Sequence, residues 1–123
     1  MWGAAGVTKS PAECRSKNDV RAELDRIDRA LTALFGERHG YVRRITDFKT
    51  DPGEALDPDR IEAVIKKVRS HAEKNGMDMD QAEKIWRTLI DWNVNFEKEI
   101  ISGKSRAESA RRSEPAAIAG DGD

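Results

Sequence analysis

Apolar residues recur at Val20, Leu24, Ile27, Leu31 and Leu34, then resume at Tyr41, Val42, Ile45 and Phe48. Steps of three and four keep such residues on one face of a helix. The stripe starts after Ser16, Asn18 and Asp19, each a suitable N-cap, and stops near Asp51-Pro52-Gly53. One helix of about 30 residues would extend roughly 45 Å, whereas a compact domain of about 100 residues has a radius of gyration of about 13 Å. The helix must therefore overhang its own domain, and its stripe stays wet unless a second helix of the same kind lies against it. An intertwined homodimer is the expected solution. Gly36 and Gly40, inside this helix, each cost about 1 kcal/mol relative to Ala and point to a kink or to close approach by another group.

The rest of the chain is also helical in pattern, and strand-like alternation is absent. Asp57 as N-cap and Pro58 at the first helical position open a second helix, which turns Ile61, Val64, Ile65 and Val68 inward and ends at Asn75-Gly76. Asp78 followed by Gln81, or Asp80 followed by Glu83, starts a third, with Ile85, Trp86, Leu89, Ile90, Phe96 and Ile100 as its apolar positions. The expectation is an all-α fold: a three-helix chain with a long first helix. Residues 1–15 read as an N-terminal extension, 16–101 as the helical domain, and 102–123, which are small, charged and Pro/Gly-containing, as a disordered tail.

Composition narrows the function. At 123 residues the chain holds one domain, and with 37% hydrophobic and 37% charged residues it has little apolar material for a thick monomeric core. Lys and Arg number 22 against 23 Asp and Glu, so no basic excess points to nucleic acid. Cys14 stands alone and His39 and His71 are isolated, which implies a reducing compartment, no structural metal and no metal cofactor. With neither a signal-peptide pattern at the start nor about 18 consecutive apolar residues anywhere, a cytoplasmic, membrane-free location is expected.

Polar side chains interrupt the stripes. Four residues beyond Leu34 stands Arg38, where the periodicity calls for an apolar side chain. It could snorkel or pair with Glu37, Asp47 or another helix. Lys49, eleven residues on, falls on nearly the same face. Arg21 lies about 26 Å from Arg38 along the axis, too far to share a site within one chain, but the two could converge in an antiparallel dimer. On the third helix, Asn93 and Glu97 fall inward; either alone could be a partly exposed residue near a helix end. Arg60, alone, is a solvated charge. Jointly, several cations, one carboxyl and one amide facing a helical interior call for a bound anion.

The segments SPAEC, DVRAELDRIDRAL, GERHGYVRRITDFK and WRTLIDWNV, in that order between Ser10 and Ile101, resemble the all-helical class of chorismate mutases, especially its branch that includes the isochorismate pyruvate-lyases. The resemblance implies a homodimer with shared sites, a small dicarboxylate substrate and no cofactor. It implies that Arg21 reaches into the other subunit's site, and that Arg38, Lys49 and Arg60 belong to the subunit's own pocket. Asp57 matches an acidic family position, and Asn93 falls where a small polar residue contacts substrate. On this resemblance Lys49, Glu97 and Arg38 are the catalytic residues.

The chain departs from the mutase pattern at two positions. Typical mutases follow the second-helix arginine with a glutamate that binds the ring hydroxyl; here Ile61 follows, as in the lyase branch. Bacterial mutases usually carry a glutamine that donates to the ether oxygen; here Glu97 aligns, and it can donate only when protonated. Chorismate mutase is thus the leading expectation. Isochorismate pyruvate-lyase and a mutase of an amino-substituted chorismate follow, with a non-catalytic helical interaction module as the alternative of a different class.

Overall fold

The computed structural model describes residues 8–113. A 3-10 turn, Pro11–Glu13, precedes α1, Lys17–Ile45. Two further 3-10 turns, Thr46–Phe48 and Pro52–Ala55, lead to α2, Pro58–Lys74, and α3, Met79–Ser113. No strand occurs among the described residues, so the expected all-α class with three helices and a long first one is observed.

The helix ends follow from local chemistry. Of the three candidate caps for α1, Ser16 serves: its hydroxyl accepts the Asp19 N–H at 3.1 Å and its carbonyl accepts the Val20 N–H. Asp57 caps α2 by accepting the Arg60 N–H at 3.1 Å, ahead of Pro58. That helix ends at Asn75, where Gly76 at φ 72° takes the left-handed conformation that other residues resist. Asp78, not Asp80, opens α3 by accepting the Gln81 N–H at 2.8 Å.

The third helix does not stop at Ile101. It runs on to Ser113, so residues 102–113, expected to be disordered, are helical. Two causes are visible. Ile101 is completely buried and anchors the helix there, while the following segment is rich in Ala, Arg, Glu and Ser, with Glu108 and Arg112 paired at 3.5 Å one turn apart. The rest of the expected tail, 114–123, and residues 1–7 of the expected extension lie outside the described residues.

The chain divides at Tyr41/Val42 into two units. In the second, α2 and α3 pack together through Ile65, Ala72 and Ala82, and Ala55, Val94 and Ile101 form a small cluster with Ile61 and Ile90 against it. A ladder of charges joins the two helices outside this core. Arg87 donates through both terminal nitrogens to Glu62, at 3.0 and 3.1 Å, and through Nε to Glu83 at 2.7 Å. Arg69 reaches Asp80 and Glu83 at 3.0 and 2.9 Å.

The first helix is different. None of its residues is buried, and Val20, Leu24, Ile27, Leu31, Leu34, Tyr41 and Ile45 are between 41% and 72% exposed. These positions, with Arg38 among them, step by four and three throughout, the spacing of a two-helix seam. An added Cβ at Gly36 or Gly40 would meet nothing within 4 Å, and the helix passes both without interruption. Neither a break nor a neighbour among the described residues explains these glycines.

The ladder makes stability depend on pH. Hydrogen bonds from Arg87 hold the Glu62 and Glu83 carboxyls below their ordinary value of 4.5, with Arg69 adding to the effect at Glu83. A carboxyl with a depressed folded-state pKa contributes stability above its ordinary range, and that contribution is lost as pH falls through the folded value. Arg87→Met should therefore be less stable than wild type at pH 7, and the deficit should shrink as pH falls through and below the ordinary carboxyl range. Urea midpoints at pH 7 and at successively lower pH test this; an equal deficit throughout would remove the ladder from the account.

Candidate active site

The polar residues flagged on the third helix are interior. Asn93 is 6% exposed and Glu97 8%, which rules out the plain explanation of partial exposure near a helix end. They sit one turn apart on α3 and so share a face. Lys49 comes from the segment after α1. The helix gives way at Thr46–Phe48, and Lys49 caps that turn in an extended conformation. Its ammonium donates to Glu97 Oε1 at 2.8 Å, with side-chain exposures of 21% and 10%. Residues 48 apart in sequence thus meet in a largely buried charged pair.

This pair changes the electrostatic expectation. The charge of Lys49 is balanced within the chain by Glu97, so Lys49 alone does not call for a bound anion. An ammonium has three donors, and those not directed at Glu97 remain for a ligand oxygen. Around the pair, Thr46 is 2% exposed and its hydroxyl donates to the Arg43 carbonyl at 2.6 Å. The Arg43 guanidinium lies over the Phe96 ring, 5.9 Å from its centre, and Phe96 stacks on Trp92 at 5.5 Å.

Asp57 and Arg60 occupy the opening turn of α2. Both are exposed, and the Asp57 carboxylate is engaged by the Arg60 main chain. Between this turn and the middle of α3 runs an open groove of about 490 Å³, lined by Leu56, Ile61, Arg87, Ile90, Asp91 and Val94 among others. Ile61 faces it half-buried, so the residue after Arg60 offers the groove only hydrocarbon. Arg21 and Arg38 belong to the first unit; on α1, Arg21 is exposed and Arg38 half-buried.

Two residues of this region escape a reading of periodicity. Thr46 marks the point where α1 ends, earlier than the stripe suggests. Lys104 lies beyond the expected end of the third helix, yet its ammonium donates to the main-chain carbonyls of Thr46 and Lys49. Its spacing of seven from Glu97, two turns on the same face, was the available signal. No group of three or more potential metal ligands occurs among the described residues, and no helix there is long and apolar enough to cross a membrane.

The described residues thus form helices and short turns, with an ammonium and a carboxyl meeting between distant segments. Residues 20–98 match the family described as chorismate mutase type II. The chain belongs to that family, as the sequence resemblance implies. An isochorismate pyruvate lyase from Pseudomonas aeruginosa is 30% identical over 86 residues, covering 70% of this chain and 85% of that protein. A chorismate mutase from Methanocaldococcus jannaschii is 24% identical over 84 residues, covering 68% and 85%.

A buried charged pair costs most when one member is left alone. Lys49→Met and Glu97→Leu should each destabilise the protein, and the double variant should lose less than their sum. A coupling of about 1–3 kcal/mol is expected for a charge-assisted bond at this burial. Urea titrations of the four proteins at one fixed concentration measure it; strict additivity would show that the two groups do not interact.

Proposed function

We propose that this chain is a chorismate mutase, an isomerase converting chorismate to prephenate, and that it acts as a homodimer with shared sites in the cytoplasm. The observation that carries the reading is the buried Lys49–Glu97 pair inside the family-matched segment. The reaction is an intramolecular pericyclic shift and requires no nucleophile, metal or redox cofactor. What remains for the protein is conformational selection and electrostatics.

In this reading Arg21 of one protomer and Arg38 of the other hold the two substrate carboxylates, bidentate where geometry allows, in the compact conformer where the reacting carbons meet. Lys49 and a protonated Glu97 donate to the ether oxygen as its bond to the ring breaks, stabilising charge that exists only near the transition state. Asn93 contacts substrate from the same face of α3, and Arg60, at the α2 N-terminus with Asp57, adds a further contact. The uncovered seven-residue pattern on α1 supports the dimer, because a second copy of the same helix supplies a matching apolar face. It also supplies an occupant for the space beside Gly36 and Gly40. The lone Cys14 suits a reducing compartment.

A second reading has its own support. Ile61 gives the groove no partner for a ring hydroxyl, and the lyase relative is 30% identical. An isochorismate pyruvate-lyase would use the same cations to release pyruvate and leave salicylate.

Incubation with chorismate and with isochorismate at about pH 5 and about pH 7.5, with products separated by chromatography, decides between the readings. Prephenate from chorismate is expected, and Lys49→Ala should lower turnover at least about a hundredfold. Salicylate from isochorismate alone would establish the lyase; no product from either would favour a binding module.

The shared site has a separate test. Arg21→Ala and Lys49→Ala homodimers should each be nearly inactive. Mixed in equal amounts and allowed to exchange subunits, they form heterodimers in which one of the two sites is intact, so roughly a quarter of wild-type activity should return. No recovery after demonstrated exchange would place Arg21 outside the partner's site.

A further inference from the structure

Lys49 leaves α1 where the regular hydrogen bonding of the helix ends. The last carbonyls of a helix have no partner within it and carry partial negative charge. Here the Thr46 carbonyl accepts the Lys49 N–H at 3.3 Å, and Lys49 itself is extended, at φ −118° and ψ 135°, so helical hydrogen bonding stops there and resumes only in the Pro52–Ala55 turn, whose Glu54 carboxylate accepts the Thr50 and Asp51 N–H groups. The half-buried Lys104 side chain fills that gap. Its ammonium donates to the Thr46 carbonyl at 2.5 Å and to the Lys49 carbonyl at 3.3 Å, spanning the turn from its first residue to the one that caps it. Two turns earlier on α3, Glu97 engages the Lys49 ammonium. One helix therefore grips Lys49 twice, at the end of its side chain and at the backbone that aims it.

We propose that Lys104 is a positioning residue for Lys49: it fixes the Thr46–Lys49 turn so that the ammonium of Lys49 is presented at the angle the reaction uses. This rests on the reading of Lys49 as the transition-state donor. Glu97 alone cannot set that angle, because a lysine stem has several rotatable bonds and a moving backbone could keep the ion pair while redirecting the remaining donors. A cation bound to two carbonyls removes that freedom and also favours the C-terminal end of α1. A donor displaced in this way is lost from the transition state more than from the bound substrate. Its signature is a lower kcat at nearly constant KM.

The test uses the full chain with Lys104→Met, which keeps the stem and removes the donor, and Lys104→Arg, which restores donors and charge. Lys104→Met is expected to lower kcat about tenfold with KM within about twofold. Amide hydrogen exchange at Lys49 should quicken about tenfold while α2 amides are unchanged, and Lys104→Arg should recover most of both. Unchanged exchange at Lys49 in Lys104→Met would overturn the clamp. Faster exchange with wild-type kcat would overturn the positioning role. Full activity in Lys49→Ala would instead overturn the reading of Lys49 on which this rests, while the exchange data would still support or overturn the clamp.

Discussion

An amphipathic helix in water is held mostly by what covers its apolar face. In this chain α2 and α3 cover each other, but α1 has no buried residue along Lys17–Ile45. Seven large apolar side chains on one seam are left at least 41% exposed. The core that remains is built largely from alanines and a few branched residues, too little to compensate for a wet stripe of this length. The dimeric reading is thus as much about stability as about catalysis. If the same contact both folds the helix and delivers Arg21 to a site, activity and folding become linked, and both depend on protein concentration.

The Lys49–Glu97 pair shows how a charged site persists in so small a core. Either group alone would be costly to bury; together they are neutral, and the Lys49 ammonium donates a hydrogen bond that the Glu97 carboxylate accepts. The arrangement is also convertible. A substrate bearing carboxylates and an ether oxygen could take over the free donors of Lys49 without leaving it uncompensated, since its positive charge would then face anionic ligand groups. Lys104 matters here because the pair is only as well aimed as the turn that carries Lys49, and that turn has little regular structure of its own.

Much of this was legible in the sequence because helices announce themselves locally. The α2 boundaries, Asp57-Pro58 at one end and Asn75-Gly76 at the other, rest on side chains within a turn of the positions they define, and are visible locally. So are Asn93 and Glu97 as inward positions, since spacing alone puts them there. What escaped depends on contacts across the fold. Residues 102–113 looked too polar to order themselves, but Ile101 and Lys104 tie that stretch to Ala55, Thr46 and Lys49, and helix propensity does the rest. The balancing of Lys49 by Glu97 was likewise hidden: each was flagged separately, and only the fold brings positions 48 apart within 2.8 Å.

On the proposed reading, the choice between rearrangement and elimination turns on small differences in the groups that meet the substrate. Both reactions break the same kind of bond from ring carbon to ether oxygen, and both place negative charge on that oxygen, so Lys49 in its proposed role would serve either. On that reading, discrimination would come from groups that sense the rest of the ring and from what Glu97 can donate. Ile61 presents hydrocarbon to the groove, which removes a reward for one hydroxyl position without penalising the other strongly; a hydrophobic pocket rejects an added hydroxyl weakly. Glu97 differs in kind, because as a neutral acid it can donate to the departing oxygen and as a carboxylate it would repel it. On the proposed reading, a donor at Glu97 would therefore matter more to the chemistry than the apolar side chain at Ile61, whose effect on ring substituents would be the weaker one.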